Sequence, residues 1–289
     1  MRALVLSGGA AWGAYQAGVL AEFAEAGIEF DVAIGASAGA FNAGAYAQGI
    51  GARLPGIWRA YAPPYIQPRR LLEGASPFRF TEASRAIARD LFDARCVRRA
   101  PCELVIAVTD YATGEPVAFS SRSAGFSDEE LRLQFETAAW IPGLSKEPIL
   151  IRGRQYCDGG FSSLVPIREA IVRGAHEVWL VDCVARAAPL ARLATLLLRP
   201  LGLLPMRMAR LLSRYLHDVS AKAPDFPGRL VRVVPSEPLG FLPFDFRLAA
   251  LESAIEVGRR DGRRVVAEQA SMAGLAAAGR CPSAARGAA

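Results

Sequence analysis

Short apolar runs ending in glycine, each followed by a helical pattern, set the first third of this chain. Ala3–Leu6 is such a run and ends in Ser7-Gly8-Gly9. Trp12, Tyr15, Val19, Leu20 and Phe23 then recur at three- and four-residue spacing, which predicts a helix with Gly27 as its stop. Val32-Ala33-Ile34 repeats the strand pattern, runs into Gly35-Ala36-Ser37-Ala38-Gly39, and gives way to an alanine-rich helical stretch through Tyr46. Strand, glycine turn, helix, repeated, is the signature of a parallel α/β sheet.

Further along, proline and arginine between Pro55 and Pro101 imply short helices. Leu104–Val108 predicts a buried strand with Pro116–Ser120 as its neighbour. Asp128–Ala139 predicts a helix with an acidic first turn. Ile149–Ile151 and the Gly153 turn predict a hairpin leading into Tyr156-Cys157-Asp158-Gly159-Gly160. A helix at Pro166–Arg173, strands at Glu177–Val181 and Leu230–Val234, and a closing helix at Leu248–Ala270 complete the pattern. Residues 1–272 read as one domain, and 273–289, rich in Ala, Gly, Arg, Ser and Pro, as a disordered tail.

Composition narrows the class. Hydrophobic residues make up 52% of the 289 and charged residues 21%, which excludes global disorder and allows a large core. The formal charge of +6 is carried almost wholly by arginine, with Lys146 and Lys222 the two lysines. A basic surface favours anionic partners. No dense basic cluster is interleaved with aromatics, so an anionic membrane surface fits better than nucleic acid. Cys96, Cys102, Cys157, Cys183 and Cys281 are odd in number and irregular in spacing, which fits reduced thiols in a cytoplasmic protein and gives no metal motif. The apolar stretch Leu190–Met208 is interrupted by Arg192, Arg199, Pro200 and Pro205, unlike a membrane span. Residues 185–220 instead fit two short amphipathic helices, either a lid or a peripheral membrane contact.

Gly35-x-Ser37-x-Gly39 between a strand and a helix is the nucleophile-elbow pattern. Glycines remove the Cβ clashes of a tight turn, and the following helix aims free N–H groups at a developing oxyanion. Two routes to a base are open. Asp158, in Asp158-Gly159-Gly160, is a carboxylate whose pKa burial would have to raise. A Ser-His-Asp triad using Asp182 and His217 is the alternative, with His176 the other histidine of the chain. The adjacent Gly8 and Gly9 with Ala10 fail the dinucleotide spacing but expose backbone N–H groups suited to an oxyanion.

Five ordered blocks together resemble the patatin-like phospholipases over most of residues 3–182. They are Leu4–Gly9 with Gly13–Leu20; Ile34–Ala40; Thr109-Asp110 with Thr113–Pro116; Ala138–Gly143; and Asp158–Gly160 followed by Pro166, Gly174-Ala175 and Val181-Asp182. The resemblance implies a three-layer α/β/α fold with a mainly parallel sheet, and a Ser37–Asp158 dyad without histidine. It implies that Gly8, Gly9 and Ala10 hold the oxyanion, that lipid carboxylic esters are cleaved, and that no metal or organic cofactor is needed. Ala10 stands where the family has a third glycine, and Trp12 where it has a cation. These departures motivate a second expectation, a lipid-binding protein of weakened activity.

Overall fold

In the computed structural model, residues 1–62, 69, 72, 79–142, 144–145, 148–184 and 226–278 are described. Eight strands form one sheet: β1 (Arg2–Leu6), β2 (Val32–Ala36), β3 (Glu103–Asp110), β4 (Pro116–Ser120), β5 (Ile149–Ile151), β6 (Arg154–Asp158), β7 (Glu177–Val181) and β8 (Arg229–Val233). Strands β3, β2, β1, β7 and β8 are parallel neighbours in that order. The hairpin β5–β6 and strand β4 pair antiparallel to them, so the sheet is mainly parallel.

Strands β1, β2, β3 and β7 are nearly all apolar because both their faces are covered, whereas the edge strand β8 is largely exposed and carries Arg229 and Arg232. On one face Leu4, Leu6, Ala33, Leu104, Ile106, Trp179 and Val181 join the larger core. The helices supplying it include α1 (Gly13–Glu25), α2 (Ala38–Ala47), α3 (Leu54–Ala60), α4 (Phe80–Leu91), α5 (Ala94–Arg99) and α6 (Asp128–Thr137). On the other face Val5, Ile34, Val105, Val178 and Leu180 pack with Ile167 and Ala170 of α7 (Ile167–Val172). The result is the three-layer α/β/α arrangement. The closing helix, α8, runs from Leu248 to Ala278, longer than its apolar pattern predicts. It lies against α1 through glycine: a Cβ on Gly18 would come within 2.2 Å of the Ile255 carbonyl oxygen, and one on Gly258 within 2.0 Å of that of Tyr15.

The acidic turn of α6 is a capping box, with Ser127 and Glu130 each bonding the other's backbone N–H. On the same helix Gln134 is fully buried, and among the described residues neither its Nε2 nor its Oε1 has a hydrogen-bond partner. Desolvating an amide without partners costs about 1–3 kcal/mol. Gln134→Met, of similar length and shape, is therefore expected to raise unfolding free energy by about 1 kcal/mol in urea titrations. Residues 185–220, with His217, and the segment 279–289 lie outside the described residues.

Candidate active site

Ser37 sits between β2 and α2 with φ 54° and ψ −130°, a strained conformation for a residue with a side chain. Its glycines are required by contact. A Cβ on Gly35 would fall 2.2 Å from the Gly39 carbonyl oxygen, and one on Gly39 would fall 2.5 Å from that of Ser7. The elbow thus presses α2 against both its own strand and the end of β1. The turn directs the Ser37 side chain into a cleft and starts α2 at that point, whose first N–H groups have no acceptor within the helix.

Topology then brings the carboxylate. β3 has two edges: β4 runs along Val105–Thr109 on one, and β2 along Glu103–Ala107 on the other. β2 leaves its edge at the elbow. β6 takes up that vacated edge, pairing Asp158 with Val108, one residue beyond the pair Ala36–Ala107. The end of β6 therefore meets the turn that carries Ser37, and Ser37 and Asp158 line the same cleft, close enough for the serine to favour the ionised carboxylate. Gly159 is as constrained as the elbow glycines, since its Cβ would lie 2.1 Å from the Ala107 carbonyl oxygen. Gly160 donates its N–H to Asp158 Oδ1 at 2.7 Å. The Asp158 N–H bonds the Trp140 carbonyl at 2.9 Å, and Thr109 Oγ1 donates to the Asp158 carbonyl at 3.0 Å. Asp158 is 5% exposed, and burial raises its pKa from 3.8 to about 7 against the opposing influence of the nearby Ser37 hydroxyl and the Gly160 N–H.

The glycine loop departs from expectation at one position. Gly8 packs beside Ser37, but its N–H is bonded to the Leu164 carbonyl at 2.8 Å, so it is not free for an oxyanion. Among the described residues, the N–H groups of Gly9 and Ala10 have no protein acceptor. Ala10 has φ 48°, in the left-handed region that favours glycine. Ala10→Gly is expected to relieve this strain and stabilise the fold by up to about 1 kcal/mol in thermal unfolding, offset partly by the freer unfolded chain. Trp12 does not face the cleft. It is 3% exposed, and its Nε1–H bonds the Phe241 carbonyl at 3.0 Å.

A buried polar network, not singled out from the sequence, ties the loop to the elbow. Gln16 Nε2 donates to the Ser7 carbonyl at 2.8 Å, Asn42 Nδ2 donates to Gln16 Oε1 and to the Gly13 carbonyl, both at 2.9 Å, and Trp58 Nε1 donates to Asn42 Oδ1 at 2.8 Å. Its signal in the sequence is a single amide, Gln16 or Asn42, set among apolar neighbours in each of the two helices that follow the glycine turns.

The alternative triad does not assemble from the described residues. Asp182 Oδ2 accepts from Arg232 at 2.8 Å and its Oδ1 from the Val184 N–H. His176 precedes β7 at the amino-terminal end of the parallel strands, opposite to Ser37. His217 is not among the described residues.

Ser37 and Asp158 open into a narrow, largely apolar cleft. Phe41, Leu54, Ile57, Trp58, Ile87 and Phe135 are among the large apolar side chains of its wall, and no cationic side chain lines it among the described residues. Cys96, Cys102, Cys157 and Cys183 are free thiols. No group of three or more metal-ligating side chains occurs among the described residues.

Comparison with known proteins follows this geometry. A relative from Escherichia coli (strain K12), the uncharacterized protein YjjU, is 26% identical over 290 residues, spanning 92% of this chain and 77% of its own. The solved structure of VipD from Legionella pneumophila aligns with 92% of this chain and 67% of its own, at 14% identity and a TM-score of 0.48. The family profile described as Patatin-like phospholipase matches residues 4–171, more than half of the sequence and inclusive of both loops that meet at the cleft, and the chain belongs to that family.

Proposed function

We propose that this protein is a serine acyl hydrolase that cleaves lipid carboxylic esters through Ser37 and Asp158. The observation that carries the reading is a strained elbow serine facing, across one apolar cleft, a buried carboxylate whose pKa is raised to about 7. A carboxylate held at that pKa is matched to accept and return a proton at neutral pH.

In the first half-reaction Ser37 Oγ attacks the ester carbonyl carbon while its proton passes to Asp158. The carbonyl oxygen becomes an oxyanion, stabilised by the N–H groups of Gly9 and Ala10 and by the first turn of α2. Collapse breaks the bond to the alcohol, which leaves with the proton from Asp158 and gives an acyl-enzyme. Water then attacks that ester, losing its proton to Asp158. The second collapse frees the fatty acid and reprotonates Ser37. The apolar wall takes the acyl chain, and the alcohol portion faces the mouth.

The reading is tested with a fluorophosphonate probe and a chromogenic ester. Wild type is expected to be labelled and active. Ser37→Ala should lose labelling and at least about 10⁴-fold in turnover. His217→Ala should behave as wild type. Loss of labelling in His217→Ala instead would favour the triad. A wild type that binds lipid but neither reacts nor turns over would favour the weakened relative.

A further inference from the structure

The segment between β8 and α8 had no role in the sequence reading, yet it borders the cleft. Its backbone is fastened to the glycine loop at two points: the Phe241 carbonyl accepts Trp12 Nε1–H at 3.0 Å, and the Pro243 carbonyl accepts the Ala11 N–H at 2.8 Å. Ser236 N–H, at its start, is held by Asp261 Oδ2 of α8 at 2.9 Å. Phe246 lines the same cleft as Ser37 and Asp158. Leu239 and Phe241 pack onto the core. Between and beyond these anchors the chain turns large apolar side chains outward: Leu242 is 58% exposed, Phe244 45% and Leu248 52%. Arg247, at 83%, projects beside them, paired with Asp245.

We propose that residues 239–248 form the element that seats the cleft mouth on a lipid surface. The inference rests on the lipid-ester reading above and adds where the substrate aggregate docks. Three observations select a lipid surface as the occupant. First, the loop is continuous with the cleft wall, so an acyl chain reaching Ser37 passes along Phe246 without crossing bulk water. Second, the exposed side chains stand on backbone already tied at Trp12, Ala11 and Asp261, so insertion orders little further chain. Third, the chain carries a formal charge of +6, which attracts it to an anionic bilayer before the apolar residues engage.

The test is partitioning onto vesicles of phosphatidylcholine and phosphatidylglycerol, measured by co-sedimentation in the Ser37→Ala background so that no substrate is consumed. The double variant Leu242→Asp with Phe244→Asp is expected to bind at least about tenfold more weakly, from lost apolar transfer and added negative charge. Leu242→Trp is expected to bind severalfold more tightly. Val172→Asp, on an exposed position of α7, should change binding less than twofold. With Ser37 restored, all three should hydrolyse a monomeric short-chain ester within twofold of wild type. Unchanged vesicle binding in the double variant overturns the proposal. So does a dimer that the double variant dissociates while vesicle binding stays the same, which would make the patch a surface for a second copy. Absence of ester turnover in the wild type would remove the catalytic reading alone, because the partitioning comparison needs no turnover.

Discussion

Asp158→Asn is expected to slow acylation of Ser37 by on the order of 10³-fold to 10⁴-fold while making the protein more stable at pH 8. The first effect follows because an amide cannot accept the serine proton. The second follows from linkage. Burial raises the Asp158 pKa from 3.8 to about 7, so the folded state holds this proton more tightly than the unfolded chain does. As pH climbs from about 4, the unfolded state loses its proton first, and stability falls until pH passes about 7. Three units correspond to at most about 4 kcal/mol, of which relaxation around the site would return part. The amide in the variant carries no such charge and can still accept the Gly160 N–H. Urea unfolding should therefore show a variant advantage of about 2 kcal/mol at pH 8 that shrinks toward pH 4.5. A constant difference across that range would mean that the carboxylate is not held against its preference for water.

The other large effect is expected from the α1–α8 contact. Gly18→Val should destabilise the fold by about 3 kcal/mol or more, because its Cβ meets backbone rather than a movable side chain. The Ile255 carbonyl and the Arg259 nitrogen, at 2.2 and 2.8 Å from that Cβ, can yield only if the helices separate. Separation would also disturb the buried Tyr15–Asp261 bond and the Arg259–Glu22 pair. Because α1 begins at the glycine loop and α8 holds Ser236 at the start of the adjoining segment, activity should fall along with stability. Gly56→Ala is the control: nothing lies within 4 Å of a Cβ there, on a helix, so its cost should be under about 1 kcal/mol. Denaturant midpoints of the two variants decide the point, and equal midpoints would contradict it.

Much of the site was legible because its glycines stand in the chain beside the residues they serve, even where the backbone that demands them is distant, as Ser7 is for Gly39 and Ala107 for Gly159. Gly35 and Gly39 accommodate a turn whose strand and helix are written side by side. Gly159 stands next to the acid it serves. What the sequence could not display is the edge of β3 that β2 abandons and β6 occupies, because that depends on pairing between segments roughly 50 to 70 positions apart. The same holds for Gly8, whose N–H is claimed by Leu164, a residue that no local pattern links to it. Trp12 looked like a lost cation at the cleft and is instead a buried anchor, since its partner Phe241 lies in a segment with no helical or strand period. The outward residues Leu242 and Phe244 were illegible for that reason as well. Exposure of apolar side chains is a property of the folded surface, and the chain between β8 and α8 gives no periodicity from which to infer it.

The dyad is tested most directly by the pH dependence of fluorophosphonate acylation, with the modified residue identified by mass spectrometry. The account predicts a single adduct on Ser37, a rate that rises with pH through one ionisation near 7, and loss of that rise in Asp158→Asn. An adduct on another residue, or a wild-type profile that Asp158→Asn leaves unaltered, would contradict it.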